Sequence, residues 1–381
     1  MILGLLLSLV VQAIGALNPD FVIRVEDALV KIDFSHLVLE FMLSFLLFAG
    51  ALHTDLDKLK AAKWPIFTFA TIGIIISAFS VGTLFYYSLI LFGHPVDYIY
   101  CLLFGALISP TDPIAVMGVL KKAKVPVSIE GKITGETLFN DGVGVFIFIT
   151  LLQLANNGGF GSMVYADIAE LLLMEILGGI ALGLIMGYIT VSLMKTIDHY
   201  QTEVLLSLAL ALGCYSFASV MHMSGPLAVV TAGLIIGNKG KMTAMSDTTL
   251  DYLNKFWEMT DETLNAILFV LIGLEVLLIP YHWEYIWISM VTFIIAVLMR
   301  YTSLAIPSII LNHQKTFSPN SLIIMTWGGI RGGISIALAL SITNTTEKDL
   351  IVAITYSVVL LSILIQGLSI GTLMKWLERK S

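Results

Sequence analysis

The chain has 381 residues, of which 57% are hydrophobic and only 12% charged. A water-soluble domain needs about a quarter of its residues charged to solvate its surface, so a soluble globular protein is excluded and lipid must cover most of the exterior. The formal net charge of −7 argues against nucleic acid as a partner, and Cys101 and Cys214, each inside an apolar run, supply neither a disulfide framework nor a paired-cysteine metal site.

A membrane helix needs about 20 mostly apolar residues. The first run, 1–16, has no basic leader and no small-x-small cleavage site, so it reads as a retained helix rather than a signal peptide. Further runs lie at 35–53, 64–93, 97–120 and 130–154, then at 166–195, and then at 203–221, 224–237, 261–280, 284–311, 320–342 and 348–376. These predict an all-α polytopic membrane protein of about 12 membrane helices. The longest polar stretch between them, Asn238 to Met259, is a connector able to form an interfacial helix. In the run 166–195, Gly179, Gly183 and Gly187 recur at four-residue spacing, which lets two membrane helices approach closely.

Basic residues cluster in every second loop: Lys58, Lys60 and Lys63, then Lys121, Lys122, Lys124 and Lys132, then Lys195, then Lys239, Lys241 and Lys255, then Lys315, and finally Lys375, Arg379 and Lys380. The alternate loops hold only Arg24, Lys31 and Lys348. Positive charge stays on the cytoplasmic side, so the carboxyl terminus is expected in the cytoplasm.

A charge at mid-membrane is costly and needs a partner, a cavity or a function. The deep ionisable residues are Asp112, Glu136, Asp141, Glu175, Glu275, Arg300 and Arg331, with Glu40 and His53 nearer the helix ends. In Ser109-Pro110-Thr111-Asp112-Pro113 two prolines remove amide donors and should unwind the run 97–120 around Thr111 and Asp112. Unwound backbone survives at that depth only where protein or a wet cavity receives it, and its carbonyls can then ligate a cation. In Gly135-Glu136-Thr137-Leu138-Phe139-Asn140-Asp141-Gly142, Glu136 and Asn140 share a helix face, with Thr137 and Asp141 less squarely aligned. A carboxylate withdrawn from water favours its protonated form, so such a group can trade a proton for a cation. The available ligands are hard oxygens suited to an alkali ion. In Trp327-Gly328-Gly329-Ile330-Arg331-Gly332-Gly333, glycines on both sides of a buried charge predict a second interrupted helix.

The segments SPTDPIAV, GETLFNDGVGV, FVLIGLEV and GGIRGGISIALAL together resemble, in order and spacing, the monovalent cation/proton antiporters of the NhaP and eukaryotic sodium/proton exchanger type, over essentially the whole chain. The resemblance implies an inverted-repeat antiporter fold with two interrupted crossing helices: a first repeat of five helices over 1–154, a linker helix within 155–201 and a second repeat of six over 202–381. It also implies a multi-pass protein of the cell membrane, a homodimer, and exchange of Na+ (or Li+ or K+) for H+ by alternating access. Neither a cofactor nor enzyme chemistry is implied. Asp141 is then the residue that binds proton and cation alternately, Thr111 and Thr137 supply oxygens to Na+, Asn140 braces the unwound segment, and Asp112 is a second carboxylate with Arg331 near it. Glu136 and Arg300 are implied as a structural ion pair, and asparagine at 140 as the mark of electroneutral one-for-one exchange.

The family has thirteen helices, so the resemblance expects one more that would precede Met1: either the true start lies upstream or this member lacks that helix. Ala49 stands where many relatives carry an acid, which leaves the choice among sodium, lithium and potassium open. Electrogenic or potassium-preferring exchange is the alternative within the class. An intramembrane aspartyl protease would need a Gly-x-Gly-Asp motif, which neither Asp112 nor Asp141 has. A channel would need a filter-like loop, and none stands out.

Overall fold

A computed structural model describes residues 34–61, 63–112, 127–156, 165–275, 283–311, 319–342 and 347–378, with positions 10, 11, 14, 24 and 25. Among these residues every regular element is helical. In chain order they are α1 (34–52), α2 (Leu56–Ala61), α3 (63–91), α4 (Tyr98–Ile108), α5 (Val127–Asn156), α6 (Tyr165–Met194), α7 (Tyr200–Val220), α8 (225–243), α9 (Asp247–Glu275), α10 (Trp283–Leu311), α11 (Pro319–Trp327), α12 (Gly333–Leu340) and α13 (348–378). Six stretches are long and apolar enough to cross a bilayer: Trp64–Leu91, Phe139–Asn156, Met174–Met194, Tyr200–Val220, Trp283–Ile309 and Lys348–Leu377. Leu37–Leu52 and Tyr98–Ile108 are shorter apolar helices. The run 1–16 falls almost wholly outside the described residues, and with it the expected total of twelve.

The anticipated breaks at 109–112 and 328–332 are present, for the reasons the residues suggest. One expectation is corrected. The stretch Asn238–Met259 is not a separate connector: α8 runs on to Thr243, and after a short turn α9 is one continuous helix from Asp247 to Glu275. Its polar first half holds helical geometry because one face is buried at Thr249, Leu253 and Trp257. The opposite face is solvated, with Lys255 paired to Asp251 at 2.7 Å.

The contacts divide the chain into two compact units. The first comprises Met1–His53, Ile176–Tyr281 and Ile336–Ser341. Here the glycines of α6 meet α8. A Cβ at Gly179 would lie 2.6 Å from the Ser224 carbonyl oxygen, and one at Gly183 would overlap the Ala228 carbonyl. In the same way Gly233 of α8 admits α1, where an added Cβ would sit 2.8 Å from that of Ala51. Lipid gives helices no hydrophobic reason to associate, so close backbone packing of this kind supplies the attraction. Trp257 fills the remaining space, fully buried, with its ring centroid 4.6 Å from that of Phe48 and its indole N–H donating to Ser207 Oγ at 2.9 Å. Ala49, also buried, lies in α1 of this unit.

The second unit comprises Thr54–Glu175, His282–Ser335 and Ile342–Ser381. Its frame is α3 against α4, where a Cβ at Gly82 would sit 2.7 Å from the Cys101 carbonyl and where Phe85 and Phe104 stack at 4.0 Å. Phe69, Leu304, Ile324, Met325, Ile330, Ile370, Met374 and Leu377 form a buried apolar cluster from α3, α10, α11 and α13. Ile330, inside the glycine-rich break, is wholly buried there, so the unwound segment is anchored by its one large apolar side chain. The polar groups gathered at the crossing described next belong to this unit.

Candidate functional site

The helix α4 stops at Ile108 because Pro110 cannot donate its amide, and the chain leaves regular helical structure through 110–112. Room for Pro110 comes from Gly144 on α5, where any Cβ would overlap the proline ring. The Ser109 hydroxyl, fully buried, is bonded to Gly105 O at 2.7 Å and to Ser77 Oγ of α3 at 2.9 Å, which ties the end of α4 to its neighbour.

The second break, 328–332, lies directly against the first. The Asp112 amide donates to the Ile330 carbonyl at 2.7 Å, joining the two unwound segments backbone to backbone. The contact requires glycine: a Cβ at Gly332 would be 2.7 Å from Asp112 Oδ2, and one at Gly329 would be 3.1 Å from Arg300 Nε and 3.2 Å from Thr111 Cγ2. Arg331 is 3% exposed, and its guanidinium Nη1 donates to the carbonyls of Ser109 and Pro110, the second at 3.0 Å. These are carbonyls that the broken helix leaves without an intrahelical amide, at the negative end of the α4 dipole. A buried cation therefore sits where charge and orphan acceptors both call for one.

On α5, Glu136 pairs with Arg300 of α10 through Oε1 and Nη2 at 2.6 Å, with both side chains 3% exposed or less. Asn140, one turn along, is fully buried and donates from Nδ2 to Thr111 Oγ1 at 3.2 Å and, at the outer limit of a hydrogen bond, to Glu136 Oε1 at 3.5 Å. Its Oδ1, like Nε and Nη1 of Arg300, has no hydrogen-bond partner among the described residues. Asp141 is 8% exposed and lies in the electrostatic field of Asp112 and Glu136.

Asp112, Asp141, Thr111, Asn140, Glu136, Arg300 and Arg331 are therefore gathered at one crossing. The Thr137 and Glu275 side chains and the segment 113–126 lie outside the described residues, while Glu175 is half-buried in α6. Two participants carry no motif that sequence reasoning used, Ser362 and Gln366 of α13; Ser369, one turn on, lies outside the crossing and bonds the Trp327 indole beside it. Ser362 Oγ accepts the Arg331 amide at 3.0 Å and donates to Gln366 Oε1 at 2.6 Å; Gln366 Nε2 donates to the Trp327 carbonyl at 3.3 Å. The Trp327 indole N–H donates to Ser369 Oγ at 2.8 Å. Their spacing in an apolar run, i, i+4 and i+7, is the signal that a polar helix face was there. The arrangement offers buried carboxylate, hydroxyl, amide and carbonyl oxygens next to fixed positive charge, a set suited to a desolvated alkali ion. Among the described residues no group of three His, Cys, Asp or Glu side chains could hold a metal ion.

Comparison with known proteins gives three findings. The family model for "Sodium/hydrogen exchanger, transmembrane" matches residues 1–376. The chain is similar to the Na(+)/H(+) antiporter NhaP of Pseudomonas aeruginosa, 45% identical over 98% of this chain and 88% of that protein, and to the Na(+)/H(+) antiporter NhaH of Halobacillus aidingensis, 32% identical over 97% and 90%. Its fold is similar to that of the sodium proton antiporter MjNhaP1 from Methanocaldococcus jannaschii, with a TM-score of 0.73 at 21% identity, over 98% of this chain and 96% of that one.

Proposed function

The chain belongs to the sodium/hydrogen exchanger family, and on that premise we propose that it is a secondary antiporter exchanging Na+ for H+ across the membrane, with proton and cation competing for the Asp141 carboxylate. The observation that carries this reading is the charge balance of the crossing. Arg300 holds Glu136 at 2.6 Å, and Arg331 and Asp112 lie on the two breaks that are bonded to each other. Counted as ionised, those four groups cancel. The Asp141 carboxylate is the excess, and a single proton or a single Na+ neutralises it equally well. One-for-one electroneutral exchange follows from that equality.

In this reading Thr111 Oγ1 supplies an oxygen to the Na+ shell, with Thr137 as a further oxygen ligand. Asn140 holds Thr111 to α5 rather than binding the ion through its amide nitrogen. The crossing moves as one body between the two sides of the membrane, because its parts are bonded to each other across both breaks. A carboxyl terminus in the cytoplasm, a cell-membrane location, a homodimer, and repeats over 1–154 and 202–381 about a linker within 155–201 belong to the same reading.

Asp141→Asn in everted vesicles is the direct test: sodium-driven proton movement should vanish, and its survival would falsify the competition at Asp141. A second consequence is quantitative. Below the pH at which the carboxylate takes up its proton, the half-saturating sodium concentration should rise about tenfold per pH unit, since one proton is displaced per ion. A flat dependence through that range contradicts a shared site. Because Asp141 lies in the field of Asp112, a second proton carried on Asp112 is the rival reading. It makes exchange electrogenic, and a response of the rate to membrane voltage identifies it. Parallel measurements with lithium and potassium give the ion preference.

A further inference from the structure

The glycine-rich break has to keep its shape in a membrane without water to satisfy its backbone. Gly328, Gly329 and Ile330 bond back toward α11 and Asp112 bonds the Ile330 carbonyl, while the described side-chain bonds to its backbone come from one place on α13. There the helix is π-helical, with bonds spanning five residues instead of four, over Ser362–Gly367. A widened turn of this kind rotates side chains off their α-helical direction and recurs at functional positions. Ser362 and Gln366, both buried, project from it toward the break. Ser362 Oγ takes the Arg331 amide, Gln366 takes the hydroxyl proton of Ser362, and the Gln366 amide returns to the Trp327 carbonyl, closing a ring around 327–331. Gly367 lies beside Ile330, whose Cδ1 would make ordinary contact at 3.7 Å with an added Cβ.

We propose that Ser362 and Gln366 are positioning residues for ion exchange. They hold the segment that presents the Ile330 carbonyl to the Asp112 amide and the Arg331 guanidinium to the end of α4. The proposal rests on the antiport reading above, and it extends the transport machinery to a helix that carries no charged group at the site. Losing the Ser362 hydroxyl frees the Arg331 amide, lets the break relax, and shifts Asp112 and Thr111 relative to Asp141. Ion affinity should therefore change more than the turnover rate.

The experiment measures sodium-dependent proton exchange in everted vesicles for the wild type, Ser362→Ala, Ser362→Thr, Gln366→Met and Ser369→Ala. Ser369 is the control, because it bonds the Trp327 indole and not the backbone of the break. Ser362→Ala and Gln366→Met should raise the half-saturating sodium concentration about five- to tenfold, with the maximal rate within twofold. Ser362→Thr, which keeps the hydroxyl, should restore wild-type affinity, and Ser369→Ala should resemble wild type. Half-saturation unchanged in both Ser362→Ala and Gln366→Met overturns the proposal, whatever happens to the maximal rate. Should Ser362→Ala fail to accumulate in the membrane, Gln366→Met decides alone. Protection of the purified variants from thermal unfolding by sodium gives a second affinity readout. A wild type that exchanges normally while the variants keep its affinity refutes only the positioning role, whereas a wild type without exchange refutes the antiport reading itself.

Discussion

Two glycine-rich regions of this molecule look alike on paper and do opposite things. In the first unit Gly179, Gly183 and Gly187 of α6 lie in an unbroken helix and bring its backbone onto the carbonyl of Ser224, the cap of α8, the carbonyl of Ala228 and the Cα of Ala232. In the second unit Gly328, Gly329, Gly332 and Gly333 surround a buried arginine and leave the helix open for five residues, with Gly332 against the Asp112 carboxylate. The missing Cβ serves contact in one place and conformation in the other. What separates them is charge. A neutral glycine stripe can remain helical because every amide keeps its partner, but Arg331 has a better use for its guanidinium at the carbonyls of Ser109 and Pro110.

Three substitutions put that contrast at risk. Arg300→Leu should have the largest effect, because it leaves Glu136 buried without its cation; removing one partner of a buried pair costs about 3–5 kcal/mol. Thermal unfolding of the purified protein in detergent measures it, and a melting temperature equal to wild type would mean the pair carries no stability. Gly332→Ala should come next, with exchange falling about a hundredfold, the scale of an ångström of misplacement at a reacting centre. The protein should still fold, so accumulation in the membrane stays near wild type while transport is lost. Gly183→Ala should be mildest. Overpacking costs about 1–3 kcal/mol, so the melting temperature falls, while exchange per folded molecule is unchanged. If Gly183→Ala abolished transport and Gly332→Ala only lowered stability, the distinction between the two regions would be reversed.

The motifs made most of the crossing legible in advance. Prolines on either side of Thr111 and Asp112 reported the first break, and glycines on either side of Arg331 reported the second. Glu136 and Asn140, four residues apart, appeared on one face of α5 before any contact was known. What stayed hidden depends on contacts between distant elements. Nothing local in Ser362-Ile363-Leu364-Ile365-Gln366 says that the helix widens there, because a widened turn forms only when packing on both sides rewards it. The polar connector was misread for a related reason. Its charged residues suggested a surface segment, but the buried face of α9 shows itself only when Trp257 is placed against Phe48 and Ser207.

The amino-acid sequence by itself determined the solvent, the helical class, the positions of the two breaks and the few charged residues that a bilayer tolerates. These follow from the cost of exposing polar groups to lipid and from the chemistry of proline and glycine, and both act on short stretches of chain. Only the tertiary structure decided which carbonyls receive Arg331 and that α13 bonds the Trp327 carbonyl and the Arg331 amide, whereas the Glu136–Arg300 pair was already implied by the family resemblance. Each of those choices satisfies a buried donor or acceptor with a partner far away in the chain, and no local preference encodes that partner.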